Sequence, residues 1–268
     1  MKKRLTALCL AISMLAVPTL SLAQTYEIEL TVLAAASLTD ALTEIGGKYQ
    51  EARPGAKLTF SFAASGTLQT QIEQGAPGDI FVSSAQKQMD ALAAEGLILN
   101  DTRADLLKNE VVLIVPKGKA APASFETIGT AAVIAVGEPG SVPVGQYTME
   151  IFEALGIKDA LTGEVGKLVY AKDVREVLTY VSTGNVDAGI VYATDALTDE
   201  NVTVTARAPE GSHKPVVYPA AVIAFTRQEQ AAREFLDYLT GEEAKKIFAA
   251  YGFTAVGQIE STPIPAAT

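Results

Sequence analysis

Short apolar runs separated by amphipathic stretches of helical spacing constrain this 268-residue chain more than any other feature. The runs Ile28–Leu33, Leu58–Phe62, Asp79–Val82, Val111–Pro116, Val133–Val136, Lys167–Tyr170, Ala188–Tyr192 and Val216–Phe225 have strand length. Between them, Leu38, Ala41, Leu42, Ile45 and Tyr49 repeat at i, i+3, i+4, i+7. Val174, Val177, Leu178 and Val181 do the same, as do Ala232, Phe235, Leu236 and Leu239, then Ala244, Ile247, Phe248 and Tyr251. Such spacing gathers apolar side chains on one buried helix face. Strand alternating with helix predicts α/β layers with mostly parallel sheets.

The length allows one large domain or two medium lobes. The composition turns polar twice, at Asn100–Lys108 and at Pro209–Lys214, and a long apolar strand follows each time. Two crossings of this kind suit two α/β lobes flanking a cleft. The expected division is 24–107 plus 219–268 for a discontinuous first lobe and 108–218 for the second. Gln258–Thr268, with Pro263 and Pro265 among small residues, is expected to hang free of the fold.

The first residues belong to a different kind of segment. Lys2, Lys3 and Arg4 precede an apolar stretch from Leu5 to Val17, and Ser21-Leu22-Ala23 supplies small residues for a peptidase. That order reads as a secretory signal, residues 1–23, cleaved after Ala23. A spanning helix would need about 20 unbroken apolar residues, and Pro18 interrupts this run. Leu8 before Cys9 is too bulky for the usual lipid-attachment motif. Cleavage removes three cations and no anions, so a formal charge of −10 becomes −13. It also removes Cys9, the only cysteine, which rules out a disulfide framework or a cysteine-based metal cluster in the exported chain.

An acidic chain argues against nucleic acid, whose phosphates need a basic face. The absence of Trp weighs against a carbohydrate site built on stacking platforms. His213 is the only imidazole; it sits in a polar turn where an ordinary surface histidine is expected. Glu242-Glu243 and the acids from Asp101 to Asp105 read as solvated faces.

Four segments share one physical feature, in which a strand ends, a small polar turn follows and a helix begins. They are Ala34 to Asp40, Phe62 to Leu68, Gly137 to Gly145 and Ala171 to Arg175. In the first, Ser37 with Asp40 three residues on makes a weak capping box. Helix starts expose unpaired N–H donors and partial positive charge, which suits an anion. Each alone is more often a plain capped helix than a site, and Tyr192 by pattern alone is equally a core residue. Several donor-rich helix starts beyond strand ends nevertheless fit one oxoanion cleft, since open α/β sheets bind ligands there.

Ala34-Ala35-Ala36-Ser37-Leu38-Thr39, Ser65-Gly66-Thr67-Leu68, Gln71 through Phe81 and Ala135 through Gly145 together resemble the periplasmic molybdate-binding proteins of ABC importers. Asp173-Val174-Arg175, Gly189 through Ala196 and Tyr251-Gly252-Phe253-Thr254 continue the resemblance over about residues 26–255. It implies a two-lobed periplasmic-binding-protein fold of type II, a cleft between the lobes, and a monomer that is not an enzyme. It also implies a ligand, molybdate or tungstate, passed to a membrane permease, with no cofactor. Carried over by motif, the anion contacts are the hydroxyls and N–H groups of Ser37 and Ser65, the N–H groups of Val144 and Val174, and the Tyr192 phenol. Two positions depart from the family pattern, Val144 where Ala is frequent and Gly66 where Ser is common. A receptor of the same fold for another oxoanion such as sulfate is the alternative. A secreted hydrolase using Ser37 or Ser65 is a further one, which would need a base that the position of His213 does not offer and a Gly-x-Ser-x-Gly elbow that is absent.

Overall fold

The computed structural model describes residues 28–119, 121–163 and 166–256. The signal segment with Cys9 and the tail Gln258–Thr268 lie outside these residues. Eleven strands are present among the described residues. They are β1 (Ile28–Ala35), β2 (Ala56–Ala63), β3 (Ile80–Val82), β4 (Ala104–Asn109), β5 (Val111–Pro116), β6 (Ile134–Gly137), β7 (Leu168–Ala171), β8 (Ala188–Tyr192), β9 (Val202–Arg207), β10 (Val216–Val222) and β11 (Thr254–Ala255). The helices are α1 (Thr39–Ala52), α2 (Ser65–Glu73), α3 (Gln86–Ala94), α4 (Pro143–Ala154), α5 (Lys158–Thr162), α6 (Val174–Ser182), α7 (Ala193–Ala196), α8 (Glu229–Leu239) and α9 (Glu242–Ala250). No helix among the described residues is long and apolar enough to cross a membrane.

The strands form two sheets, one of order β11-β4-β10-β3-β1-β2 and one of order β7-β6-β8-β5-β9. Helices cover them through the faces that the spacing marks out. Ala41, Leu42, Ile45 and Tyr49 of α1 are buried, as are Val174, Val177, Leu178 and Val181 of α6 and Ala232, Phe235, Leu236 and Leu239 of α8. On α9, Ala244, Ile247 and Phe248 are buried while Tyr251 caps the end and stays partly exposed. Where α1 meets α8, the Tyr49 and Phe235 rings pack edge to face at 4.8 Å.

Both sheets are mixed, which corrects the expectation of mostly parallel ones. β1 runs parallel to β2 and β3, and β6 parallel to β7 and β8, each through a covering helix. β10 runs antiparallel to β3 and β4, and β5 antiparallel to β8 and β9. Parallel pairing requires a return crossover of a dozen or more residues. A strand that arrives from the other sheet makes no such return, so its direction is free to oppose its neighbours.

The chain passes between sheets at two places. Only Glu110 separates β4 in the first sheet from β5 in the second, and residues 208–215 lead back from β9 to β10. The polar stretch Asn100–Lys108 is thus largely a strand, with Leu106, Leu107 and, just before the strand, Thr102 buried. β10 also lies wholly in the first sheet, so Val216–Tyr218 do not belong with the second as the 218/219 division requires. The expected strand to Phe225 ends at Val222, and Phe225 is exposed.

Candidate functional site

Five strands of the two sheets, β1, β2, β3, β6 and β7, send their carboxyl ends toward helix starts, and residues that follow each of the five line one small cavity with Tyr192 of β8. Ser37 lies in a 3-10 turn, Ala36–Leu38, between β1 and α1. Ser65 is the first residue of α2, directly after β2 and Ala64. Val144 is the second residue of α4, behind Pro143, whose missing N–H costs nothing at a helix start. Val174 opens α6, and Tyr192 ends β8. All five line the same small cavity, whose volume is about 10 Å³. That is far below the roughly 300–1,000 Å³ of pockets for drug-sized molecules, so the site suits a compact ligand of a few atoms.

Local sequence explains the donor-rich lining. The caps before the Ala36–Leu38 turn, α2 and α4 are Ala35, Ala64 and Val142, none of which offers a side-chain cap. The first N–H groups of a helix have no carbonyl four residues back, so these starts keep donors that no cap consumes. α6 differs, since Asp173 accepts from Glu176 N–H at 2.9 Å, satisfying the third helical position and not Val174. Two glycines permit the approach of these segments. A Cβ on Gly145 would lie 2.1 Å from the Gly137 carbonyl oxygen, and one on Gly66 would lie 2.5 Å from that of Ser141. Gly66 N–H instead donates to Ser141 at 2.9 Å, joining the start of α2 to the loop before α4. The departure from Ser at position 66 therefore has a steric reason in this chain.

The polar side chains here are neutral and buried. Ser65 Oγ accepts from Ser84 N–H at 3.0 Å, with the Ser84 hydroxyl 3.2 Å away. Ser84 follows β3 and lines the cavity as well, although no sequence reading singled it out. Its signal was present, since Ser83-Ser84 after an apolar run repeats the strand, small polar turn, helix pattern. Ser37 Oγ lies 2.9 Å from Tyr218 Oη, another partner that sequence reasoning missed. Tyr192 Oη is fully buried and makes no well-directed hydrogen bond in the protein, with the Ser84 side chain its nearest polar interaction. Burial drives the Tyr192 phenol well above its ordinary pKa, so it remains an O–H donor.

Charges surround the cavity without lining it. Arg175 donates to Asp40 Oδ2 at 2.8 Å, tying α6 to α1, and its Nε lies 2.7 Å from Asp195 Oδ1. That second contact is close but misaligned, so neither the Asp195 carboxylate nor Arg175 Nε gains a directed hydrogen bond. Burial raises the Asp195 pKa from 3.8 to about 7, with Arg175 only partly opposing it. His213 lies outside the cavity, in the half-buried turn 210–213, with Nδ1 2.6 Å from the Lys214 carbonyl and its ring 5.5 Å from Tyr147. Asp101 pairs with Arg233 on the surface.

Two mixed α/β sheets with a small buried cavity at their strand ends define a class of extracellular receptors. The sequence profile described as bacterial extracellular solute-binding protein matches residues 30–254, and the chain belongs to that family. A molybdate-binding protein of Haemophilus influenzae is 40% identical over 233 residues, covering 85% of this chain and 90% of the relative. The molybdate-binding protein of Escherichia coli is 39% identical, covering 84% and 89%. Among solved structures, the periplasmic molybdate-binding protein of Azotobacter vinelandii superposes with a TM-score of 0.76 over 84% of this chain and 98% of its own. At 23% identity that likeness bears on the fold.

Proposed function

We propose that this protein captures molybdate, with tungstate as an equivalent cargo, outside the cytoplasmic membrane and delivers it to the permease of an ABC importer. The observation that carries the reading is the Tyr192 hydroxyl, a buried O–H without a well-directed hydrogen bond in the protein, in a cavity shared with Ser37 and Ser65. Leaving a buried donor unpaired costs about 1–3 kcal/mol, and an oxoanion oxygen supplies the acceptor. Ser37 and Ser65 add hydroxyls and N–H groups, and Val144 and Val174 add main-chain N–H groups at helix starts. The names of the relatives support molybdate as the anion.

Neutral donors also suit an acidic protein. The mature charge of −13 acts through salt with a Debye length of about 8 Å, whereas the N–H dipoles act at contact. Molybdate and sulfate both present four acceptor oxygens and no proton, so cavity size distinguishes them. The lining offers no general base, and the protein acts in this reading as a monomeric receptor in the periplasm and not as a hydrolase. The lobes correspond to the two sheets, with hinges at Glu110 and between Arg207 and Val216. A competition titration with molybdate, tungstate, sulfate and phosphate tests the reading. Molybdate and tungstate are expected to bind alike and to exclude the others; sulfate binding as tightly as molybdate would overturn the anion assignment.

A further inference from the structure

Ser37 helps an anion only if its hydroxyl proton points into the cavity, and the surrounding bonds decide where that proton points. The chain of contacts begins at a donor whose identity is certain. Glu110 N–H donates to Asn109 Oδ1 at 2.9 Å, which fixes the Asn109 amide with its NH2 on the opposite side. That NH2 donates to Tyr218 Oη at 3.1 Å and to Thr194 Oγ1 at 2.8 Å. Tyr218 is fully buried and held edge to face between Tyr192 and Phe253, at 5.9 and 5.5 Å, so its hydroxyl stays where it is. Having accepted from Asn109, Tyr218 Oη has its own proton left to place. Its remaining hydrogen-bond partner is Ser37 Oγ at 2.9 Å. Were Ser37 the donor there, the Tyr218 O–H would be buried with no acceptor, at a cost that buried polar groups avoid.

We propose that Asn109 and Tyr218 are positioning residues that set the Ser37 hydroxyl as a donor into the cavity, and thereby restrict the site to anions that carry no proton. The inference rests on the oxoanion reading of the cavity. Ser65 is arranged in the same sense by a main-chain group, since Ser84 N–H occupies its acceptor side. With Ser37 and Tyr192 presenting O–H groups and the Ser65 and Ser84 hydroxyls 3.2 Å apart and paired with each other, a hydrogen phosphate brings a proton for which the lining holds no carboxylate or imidazole acceptor. The Asn109 amide is anchored at the short connection between the two sheets, so this polarity is built into the crossover itself.

A double-mutant cycle on the full mature protein tests the relay. Asn109→Asp keeps an acceptor for Glu110 N–H but turns the group facing Tyr218 from donor to acceptor, so the Tyr218 proton swings away from Ser37 and the Ser37 proton follows it. The expected loss of molybdate affinity is about tenfold or more in the parent and about threefold or less in a Tyr218→Phe background, because the coupling runs through one oxygen. Tyr218→Phe alone frees Ser37 to accept, and the ratio of molybdate to hydrogen phosphate affinity in mildly alkaline buffer is expected to fall about fivefold or more. Equal losses in the two backgrounds mean that the added charge acts directly, and they overturn the relay. So does a ratio that Tyr218→Phe leaves unchanged, which decides the matter alone if ligand-free melting shows that Asn109→Asp is unfolded. A parent protein that binds molybdate with a flat cycle defeats the relay only, whereas a parent that binds no oxoanion defeats the functional reading beneath it.

Discussion

In the proposed site Ser37, Ser65 and Tyr192 contribute side-chain oxygens, whereas Val144 and Val174 contribute main-chain groups. Substitution separates these two kinds of donor. Ser37→Ala, Ser65→Ala and Tyr192→Phe each remove a hydrogen bond to a charged acceptor, worth roughly 1.5–3 kcal/mol, so each is expected to weaken molybdate by about tenfold to a hundredfold in calorimetric titration. Val144→Ala and Val174→Ala keep their N–H groups and are expected to be nearly silent; a loss at Val144 equal to that at Ser37 would place the donors elsewhere. Asp195 supplies a second test, by pH. Its folded pKa of about 7 lies above the ordinary 3.8, so the unfolded chain gives up this proton first. Its contribution to stability is complete at pH values below 3.8 and is lost as pH rises toward 7. Asp195→Asn is therefore expected to gain stability relative to the parent across that interval in chemical denaturation at several pH values. A relative loss over the same interval would mean that Arg175 holds the carboxylate ionised.

At the scale of elements, the contact between α2 and the loop before α4 is the most sharply defined. Gly66 N–H reaches Ser141 across it, and a Cβ would meet the Ser141 carbonyl oxygen at 2.5 Å and Cα at 2.8 Å, both backbone atoms that cannot turn aside. Alanine is intrinsically the better helix residue by up to about 1 kcal/mol, so Gly66→Ala sets helix propensity against sheet-to-sheet approach. The clash outweighs that gain, so the expected outcome is a lowered melting temperature without ligand, together with molybdate affinity reduced by about tenfold, the loss of one good hydrogen bond. Undiminished affinity would show that this contact is not made when ligand is held. The elements themselves were unevenly legible. α1, α6 and α8 were plain in the spacing because one side of each faces a sheet. β4 was hidden because only Leu106 and Leu107 of Ala-Asp-Leu-Leu-Lys-Asn are fully buried and they are adjacent, which leaves no alternation to read. β9, Val-Thr-Val-Thr-Ala-Arg, carries the alternation of a half-buried strand and was legible without being read. β11 spans two residues and has no pattern to carry.

For the whole molecule, the two sheets and the cavity between helix starts make ligand binding and stability one equilibrium. A ligand bound only by the folded protein stabilises it by RT ln(1 + [L]/Kd), about 2.7 kcal/mol at a hundredfold excess over Kd. Molybdate and tungstate are therefore expected to raise the melting temperature, while sulfate and phosphate at the same concentration do little. An equal shift with sulfate would keep the receptor class and remove the anion assignment. The same measurement on His213→Ala is expected to match the parent, since the imidazole lies outside the cavity lining.

By itself the sequence determined the α/β class, the buried faces of the principal helices and the small polar turns after β1, β2, β6 and β7. These are local properties, set by side-chain period and by the lack of bulk at helix starts. It also contained the segments that resemble molybdate receptors, from which the five candidate contacts follow. The tertiary structure alone decided which strands return antiparallel, because that depends on where the chain changes sheets and not on any strand's composition. It alone brought Ser84 beside Ser65 and Tyr218 beside Ser37, the latter pair 181 residues apart. No periodicity records a contact of that range. The direction of a hydroxyl proton is decided later still, by partners such as Asn109 that the fold brings within reach.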